Sequence, residues 1–371
     1  MSGRGAVRAS AARLTAWLLD EALPIWWERG TDARGYISQL GLDGRPAGAP
    51  RRLRVQARQA HVFALAAGLG WGGPTETASR RGVDAVLAAR ADDGLYRTDG
   101  STAMDGMGLL YDQAFMLLAL ATSHATFGDT GLETEAARLA GRLATFAHPL
   151  GGYAEAPGLP APLFANPNMH LFEAFQAWSR ASDDPRWREL AAGEARLALT
   201  RLIEPGSGVL YETYDAGWAA PTDRVVWPGH LYEWAWLLME WDADDAAGVA
   251  AALRLIEVAE RAGVDPDRGV AIFALDGDLR PVDRGARLWA QTERARACAR
   301  AAGLTGEAAL WDAAAQACGA MEAYLQVPTP GLWRDWMDAA GAYREEPAPA
   351  STLYHIVGAI IELARQTSSS A

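Results

Sequence analysis

The segment Gly208-Val209-Leu210-Tyr211 decides the fold, because a glycine followed by an aromatic side chain recurs at regular intervals along this chain. This glycine–aromatic segment follows every second stretch of sequence with helical periodicity. Its six occurrences are Gly35-Tyr36, Gly94-Leu95-Tyr96, Gly152-Tyr153, Gly208-Val209-Leu210-Tyr211, Gly269 through Phe273, and Gly331-Leu332-Trp333. The leading glycines are 59, 58, 56, 61 and 62 residues apart. A constant period of this length, with two helices per unit, is typical of repeat architectures.

Apolar residues three and four positions apart predict twelve helices, two for each unit. These helices are expected to begin near residues 8, 51, 75, 106, 132, 167, 185, 228, 246, 284, 306 and 351. Six helical hairpins can close into a ring. The sequence therefore predicts an all-α fold, an (α/α)6 barrel forming a single domain over residues 1–371, with short flexible ends at about 1–7 and 367–371.

An open solenoid is the alternative architecture, and it needs a polar outer face on its last helix. Segment 354–361 is too apolar for that role. Polar loops such as 215–222 and 276–283 follow the glycine segments and are long enough for small hairpins at one mouth of a barrel.

The composition excludes several classes of function. Lysine and arginine together number 34, and every one of them is arginine. Mechanisms that need a lysine amine are therefore excluded, among them pyridoxal enzymes, Schiff-base aldolases and a complete phosphate-binding P-loop. A formal net charge of −12 disfavours nucleic acid as a partner. The only cysteines, Cys298 and Cys318, lie in helical stretches and indicate neither a disulfide scaffold nor a thiolate zinc site.

The apolar runs are too short to span a membrane, and the N-terminal stretch lacks the features of a signal peptide. The sequence accordingly predicts a soluble, cytoplasmic protein with no membrane partner. A homodimer formed through the outer helices is compatible with the predicted fold.

Three of the six histidines share a position in the repeat. His170, His230 and His355 each lie three or four residues into a helix that opens a unit. If those helices are the inner ones, the three imidazoles lie at the same end of the ring and face its axis. A helix N-terminus disfavours the imidazolium ion, so a neutral ring there could accept a proton. His124 and His148 fall at helix C-termini, where a structural role is expected.

Two of these histidines are followed three residues later by a glutamate, Glu173 and Glu233. This spacing places histidine and glutamate side by side on one helix face. The carboxylate could orient the ring, bind a substrate hydroxyl or share a metal ion. Helical di-metal sites usually have glutamate before histidine and additional glutamates, so we predict no metal here.

Further polar side chains interrupt the apolar runs of the remaining inner helices, where a solvated face or internal salt bridges would explain them equally well. They are Arg54, Arg58, Asp112, Gln113, Arg287, Gln291 and Glu293, with Tyr111 and Trp289 beside them. Arg58 is the favoured functional residue, because a fixed cation near candidate bases suits a developing oxyanion. His61, one turn beyond Arg58, fits a core position better than a catalytic one.

Tryptophans cluster around the histidine helices and the loops of the predicted mouth. They are Trp227, Trp234, Trp236, Trp289, Trp333 and Trp336. Flat indole rings suit the CH faces of a sugar, although core packing must account for at least half of the set.

Six stretches in order along the chain resemble the N-acylglucosamine 2-epimerase superfamily, which includes cellobiose 2-epimerase, mannose isomerase and sulfoquinovose isomerase. The stretches are Val55 to Phe63, Tyr111 to Phe115, Asn166 to Ala174, Pro228 to Trp234, Arg287 to Glu293, and Tyr354 to Ile356. They cover nearly the whole chain.

The resemblance implies an (α/α)6 barrel and cofactor-independent chemistry at C1 and C2 of a sugar. By motif position, His230 and His355 would be the acid–base pair. The residues expected to bind or assist the substrate are Arg58, Asn168, His170, Glu233, Tyr111, Gln113, Trp289 and Gln291. Arg58 with His61 looks closest to the mannose-isomerase branch, whereas Gln113 departs from the histidine common at its place.

We therefore expect a mannose-type aldose–ketose isomerase acting on a free or derivatised hexose through an enediolate. A 2-epimerase of glucose, mannose or N-acylated sugars is the alternative. A glycoside hydrolase would need two carboxylates across a bond, for which Asp105 or Asp112 could pair with Glu233. A non-catalytic sugar-binding protein is the other alternative.

Overall fold

Two concentric rings of helices make up most of the part of the chain that the computed structural model describes, residues 2–97, 107–159 and 161–368. The inner helices are α2 (Leu53–Gly68), α4 (Leu110–Phe127), α6 (Ala165–Ala181), α8 (Pro228–Trp241), α10 (Leu288–Thr305) and α12 (Ser351–Ser368). The outer helices are α1 (Gly3–Trp17, continued by a π turn at Leu18–Ala22 and by Leu23–Glu28), α3 (Thr75–Ala88), α5 (Thr130–Leu143), α7 (Pro185–Leu197, followed by a π turn at Ala198–Leu202), α9 (Ala246–Gly263) and α11 (Ala308–Tyr324). A short 3-10 helix, Ala144–Phe146, follows α5.

The ring closes on itself, because α12 packs against both α10 and α2 while α1 packs against α11 and α12. The predicted (α/α)6 barrel is thereby confirmed, and the open solenoid is not formed. Helix α1 begins at Gly3 and α12 ends at Ser368, so helices extend into both segments for which the sequence predicts flexible ends. None of the described helices is both long and apolar enough to cross a bilayer.

Short antiparallel strands join the loops at the end of the barrel where the inner helices begin, which we call the mouth. They are β1 (Thr31–Asp32), β2 (Gly35–Tyr36), β3 (Gln39–Leu40), β4 (Leu163–Phe164), β5 (Thr213–Tyr214), β6 (Val225–Val226), β7 (Val264–Asp265), β8 (Val270–Ala271), β9 (Ala274–Asp276), β10 (Pro281–Asp283), β11 (Ala286–Arg287), β12 (Trp336–Met337) and β13 (Ala348–Pro349). The pairs β4–β5, β6–β9, β11–β12 and β13–β3 connect loops of neighbouring units, and β13–β3 joins the last unit to the first. Of the two loops expected to form hairpins, 276–283 does so through β9 and β10.

The glycine of each repeat segment turns the chain back toward the ring. All six leading glycines have φ between 67° and 106°, a conformation that a side chain disfavours. In four of the six segments, a buried amide on the next inner helix then fixes the segment. Gln113 of α4 is one example: its Oε1 accepts from Tyr96 N at 2.9 Å and its Nε2 donates to Tyr96 O at 2.7 Å. Gln56, Asn168 and Gln291 bind Tyr36, Tyr153 and Ala271 in the same way.

Three outer helices have a side-chain cap of a kind that five of the inner helices lack. The outer helices α5, α7 and α9 are capped by the side chains of Asp129, Asp184 and Asp245. The inner helices α2, α4, α6, α8 and α10 begin without a side-chain cap. In three of them the first N–H donates instead to a mouth-loop carbonyl of the following unit: Leu110 to Glu155, Ala165 to Glu212, and Leu288 to Asp335. The loops are thereby held directly over the helix ends that carry the candidate site.

Candidate active site

Each inner helix contributes two residues, three positions apart, to the axis of the barrel. Those nearer the mouth, the upper ring, are Arg58, Phe115, His170, His230, Glu293 and His355. Those one turn deeper, the lower ring, are His61, Leu118, Glu173, Glu233, Arg296 and Gly358. All six upper-ring side chains are buried. The three histidines expected to meet at one end of the barrel therefore do so, on three different helices.

His230 is held by a carboxylate from the mouth. Its Nδ1 lies 2.9 and 2.8 Å from the two carboxylate oxygens of Glu212, which follows the fourth glycine segment. The ring also contacts Trp227 and Trp289, with ring centroids 5.0 and 5.1 Å away. A proton on Nδ1 that is donated to Glu212 leaves Nε2 as the basic nitrogen.

His355 has the equivalent arrangement with a different partner. Its Nδ1 lies 2.9 Å from Oε1 of Glu293, and Arg296 donates to Oε2 of the same carboxylate at 3.2 Å. Burial, followed by the charge of Arg58, lowers the pKa of His355 well below its usual value. Trp289 lies 5.6 Å from this ring as well as 5.1 Å from His230, so one indole stands beside both imidazoles.

His170 completes the set of histidine–carboxylate pairs. Its Nδ1 lies 3.4 Å from Oε2 of Glu173, which also accepts a hydrogen bond from the Tyr354 hydroxyl. Burial is the main reason that the pKa of His170 falls to about 4. Burial acts to raise the pKa of Glu173, but the hydrogen bond with His170 and the surrounding charges lower it to about 2. At neutral pH this pair is a neutral imidazole beside a carboxylate.

Glu233 lies between the histidine pairs and has no hydrogen-bond partner for either carboxylate oxygen among the described residues. The side chain is 1% exposed, and its Oε1 lies 3.9 Å from Nδ1 of His170. Burial, and after it the charges of Glu293 and Glu173, raises the pKa of Glu233 well above that of a free glutamate.

Arg58 is a buried cation of the upper ring that forms no ion pair with a described residue. Its guanidinium donates to the Ser351 carbonyl at 3.2 Å and to the Tyr111 hydroxyl at 3.0 Å, while its Nε has no partner. The group lies 4.1 Å from the ring centre of Phe115 and 5.0 Å from that of Tyr354. A buried cation without a counter-ion is costly unless a ligand supplies negative charge.

The tryptophans divide between the site and the core. Trp227, Trp289 and Trp336 line the mouth side, where Trp227 and Trp336 both pack on Phe273. Trp234 and Trp333 are fully buried against Phe172 and Trp26. Trp236 faces the deeper part of the barrel, with the Arg296 guanidinium 3.3 Å from its ring centre.

Three residues expected to bind substrate have another role. Gln113, Asn168 and Gln291 are 0% exposed. Their carboxamide oxygens each accept a backbone N–H, and their nitrogens each donate to two backbone carbonyls. The expectation is corrected here: these amides fix the glycine segments and have no donor left for a sugar.

Sequence reasoning missed Glu212 and left Glu293 as a surface or salt-bridge residue. Glu212 lies outside every helix, and its only sequence signal is its place directly after a glycine–aromatic segment. His61 lies one turn deeper than the upper ring and is half-buried rather than part of the core; its Nδ1 lies 2.7 Å from the Thr122 hydroxyl. His124 bonds to the Asp129 carbonyl and stacks on Trp178, as expected for a structural histidine.

Within the described part of the chain, two groups of side chains could hold a metal ion. They are His170, Glu173 and Glu233, and Glu233, Glu293 and His355, with the ligand atoms of each group within 4.8 Å of one another. The absence of a cofactor stays a prediction.

The carboxylates considered for glycoside hydrolysis are differently placed. Arg54 holds Asp112 in an ion pair of 2.7 Å at the mouth. Asp105 lies outside the described residues.

A family model described as N-acylglucosamine 2-epimerase matches residues 35–359. A protein of Rhizobium meliloti (strain 1021) named mannose-6-phosphate isomerase is 40% identical over 377 residues, covering 96% of this chain and 97% of that protein. A protein of Thermobifida fusca named D-mannose isomerase is 29% identical over 217 residues, covering 51% of this chain and 49% of that protein.

Solved structures agree with the fold. A crystal structure of D-mannose isomerase superposes with a TM-score of 0.87 at 21% identity, covering 95% of this chain and 97% of that one. The structure of cellobiose 2-epimerase from Spirochaeta thermophila gives 0.86 at 23% identity, covering 98% and 97%.

Proposed function

The chain belongs to the N-acylglucosamine 2-epimerase family, and on that premise we propose that this isomerase interconverts an aldohexose of the mannose type and the corresponding ketose. One observation carries the proposal. His230 and His355 come from different helices, each has a carboxylate on Nδ1, and both lie beside the ring of Trp289. Arg58, a buried cation of the same upper ring, forms no ion pair with a described residue.

The reaction begins with the open-chain aldehyde, whose C2 proton is removed by Nε2 of His230 or His355. The electron pair forms the C1–C2 double bond of an enediolate, and the negative charge develops on the former carbonyl oxygen. Arg58 is placed to hold that oxygen, because a fixed guanidinium in a low-dielectric cavity stabilises charge where it appears. Return of the proton to C1 gives the ketose.

Ketose formation also requires the hydroxyl proton on O2 to leave and O1 to become a hydroxyl. A neutral, unpartnered Glu233 beside His170 supplies a donor and an acceptor for this exchange. The chain's own residues therefore account for every proton transfer in the proposed reaction.

A 2-epimerase reaction is the second candidate, and the pairing of two similar histidines favours it. If one imidazole removes the C2 proton and the other returns a proton to the opposite face of C2, mannose becomes glucose. The same cavity serves both outcomes, so the products decide between them.

The test incubates purified, exhaustively chelated enzyme with mannose, and separately with mannose 6-phosphate, in deuterated water, and follows the products by NMR. Both sugars are needed because the Rhizobium meliloti relative is named for the phosphorylated one. Ketose carrying deuterium at C1 supports the isomerase, and deuterium at C2 of an epimeric aldose supports the epimerase. Absence of deuterium from all sugars tried, or loss of activity that returns only with a divalent metal, would overturn the metal-free proposal.

Variants assign the roles in the same assay. His230→Ala and His355→Ala are each expected to lower kcat by about 10²- to 10⁴-fold, the usual contribution of a general acid or base. His148→Ala, at a histidine packed on Trp218 away from the ring residues, is the matched control and should leave kcat unchanged.

A further inference from the structure

A cavity lies in the barrel on the far side of the lower ring, at the end where the inner helices finish. It has a volume of about 350 Å³, which is within the range of small-molecule sites. Five of the six lower-ring residues line it, namely His61, Leu118, Glu173, Arg296 and Gly358. The upper-ring histidines do not line it, so this rear cavity is separate from the candidate active site.

Arginines and glutamates together form the rim of the rear cavity. Arg365, Arg300 and Arg180 all converge on Glu240, at 2.7, 3.9 and 4.0 Å. Glu362 contributes the one other carboxylate of this network, 2.6 Å from Arg365.

Arg180 is the least satisfied of these cations. Its 4.0 Å approach to Glu240 is long for a hydrogen bond, and the guanidinium donates none to any described residue. The side chain lines the cavity and is 54% exposed, so a ligand entering from solvent meets it first. Free, fork-shaped donors of this kind suit a phosphate group.

Deeper in the cavity, two buried polar atoms lack a partner among the described residues. Gln176 is 1% exposed and donates from Nε2 to the Leu237 carbonyl at 3.1 Å, which leaves its Oε1 without a donor. Arg296 is 5% exposed, and its Nε lacks an acceptor. Both side chains line the cavity. One atom needs a donor and the other an acceptor, and a hydroxyl group provides both.

The remaining wall is largely apolar. Leu118, Ala121, Ala177, Leu237 and Ile361 supply aliphatic surface between the rim and the two buried atoms. Such a wall accepts the CH groups of a polyol chain while the hydroxyls turn toward Gln176 and Arg296.

We propose that the rear cavity is a binding site for a small phosphorylated polyol, with the phosphate on Arg180 and the hydroxyls on Gln176 and Arg296. Glu173 and Arg296 belong both to this cavity and to the carboxylate pairs of His170 and His355. A ligand in the rear cavity would therefore contact residues that position the histidines of the candidate active site, so the rear cavity would act as an effector site.

The experiment measures binding of glycerol 3-phosphate by calorimetry, with glycerol and inorganic phosphate as probes that lack one half of the ligand. Glycerol 3-phosphate has no carbonyl and cannot be isomerised. Glycerol 3-phosphate is expected to bind more tightly than glycerol or inorganic phosphate alone. Arg180→Gln should weaken it at least about tenfold, since a charge-assisted contact is lost. Ala177→Phe, which fills the cavity, should remove binding.

Two controls locate the ligand. Arg261→Gln changes a 60% exposed arginine on outer helix α9 and should leave binding unchanged. Arg58→Met removes the cation of the active site and should also leave it unchanged. Binding that is lost in Arg58→Met but retained in Arg180→Gln would place the probe in the substrate site and overturn the proposal. Equal affinity for glycerol 3-phosphate and inorganic phosphate would overturn the proposal that Gln176 and Arg296 bind the hydroxyls of a polyol. Absence of binding would overturn the proposed effector site altogether. Should Ala177→Phe fail to fold, Arg180→Gln still decides the result.

Discussion

The Nδ1 atom of His355 lies 2.9 Å from Oε1 of Glu293, and the two residues come from helices α12 and α10. Glu293 is 0% exposed and its second oxygen accepts from Arg296. This contact between helices holds the imidazole in one orientation and one tautomer, with Nε2 left as the base. The acid–base chemistry proposed for His355 therefore depends on a residue from the neighbouring unit.

Glu293→Gln tests that dependence. The amide can present its NH2 group to His355, which favours the wrong tautomer, so kcat should fall about 10- to 100-fold, a part of the usual acid–base contribution, while KM changes little. Steady-state kinetics measure both. Glu257→Gln, at a glutamate that is 69% exposed on α9, is the matched control. A kcat within twofold of the wild type would show that Glu293 does not position the base.

Arg58→Met separates catalysis from stability. The variant keeps a long side chain but loses the charge that is proposed to hold the enediolate oxygen, so kcat should fall by about 10²- to 10³-fold. Because a buried cation without an ion pair is costly, its removal should leave the melting temperature unchanged or raise it. Thermal unfolding and kinetics on the same preparation test both statements. A fall in melting temperature at unchanged kcat would assign Arg58 a structural role.

Gln113→Leu tests the correction made to its role. The substitution leaves the N–H and the carbonyl of Tyr96 without their side-chain partner, and each buried unsatisfied group costs about 1–3 kcal/mol. The free energy of unfolding should therefore fall by a few kcal/mol, on the order of 2–4. The KM of the folded enzyme should not change. Gln326→Leu, at an exposed position, is the control for urea unfolding. A higher KM with unaltered stability would return Gln113 to the substrate site.

Glu194 predicts a pH dependence of stability. The side chain is 1% exposed on α7, and burial raises its pKa to about 8. The folded state thus binds the proton more tightly than the unfolded state, where the value is near 4.5. The contribution of this proton to the free energy of unfolding is fully present below pH 4.5 and is lost as the pH rises through about 8.

Glu194→Gln keeps the shape and removes the titration. Between pH 5 and pH 9 the free energy of unfolding should fall in both proteins, but by on the order of a few kcal/mol less in the variant than in the wild type. Urea unfolding at the two pH values measures this difference. Parallel pH profiles for the two proteins would show that Glu194 is ionised in the folded state.

Local sequence was sufficient for the fold. The glycines at a constant period mark turns that need positive φ, and the helical periodicity between them fixes two helices per unit. Ring closure followed, because the last helix is too apolar to end a solenoid. The same local reasoning placed His170, His230 and His355 near the starts of inner helices, since helix phase determines which side chains face the axis.

Only the tertiary structure decided which polar side chains face the axis of the barrel and which hold the repeat together. Gln113 and Arg58 both interrupt apolar helical runs. The amide of Gln113 is hydrogen-bonded to the backbone of Tyr96, whereas Arg58 forms no ion pair with a described residue. Glu212 comes from a loop and reaches His230 from outside its helix. A hydrogen bond between distant segments depends on how separate units pack, and the periodicity of one helix carries no information about the partner that another unit supplies.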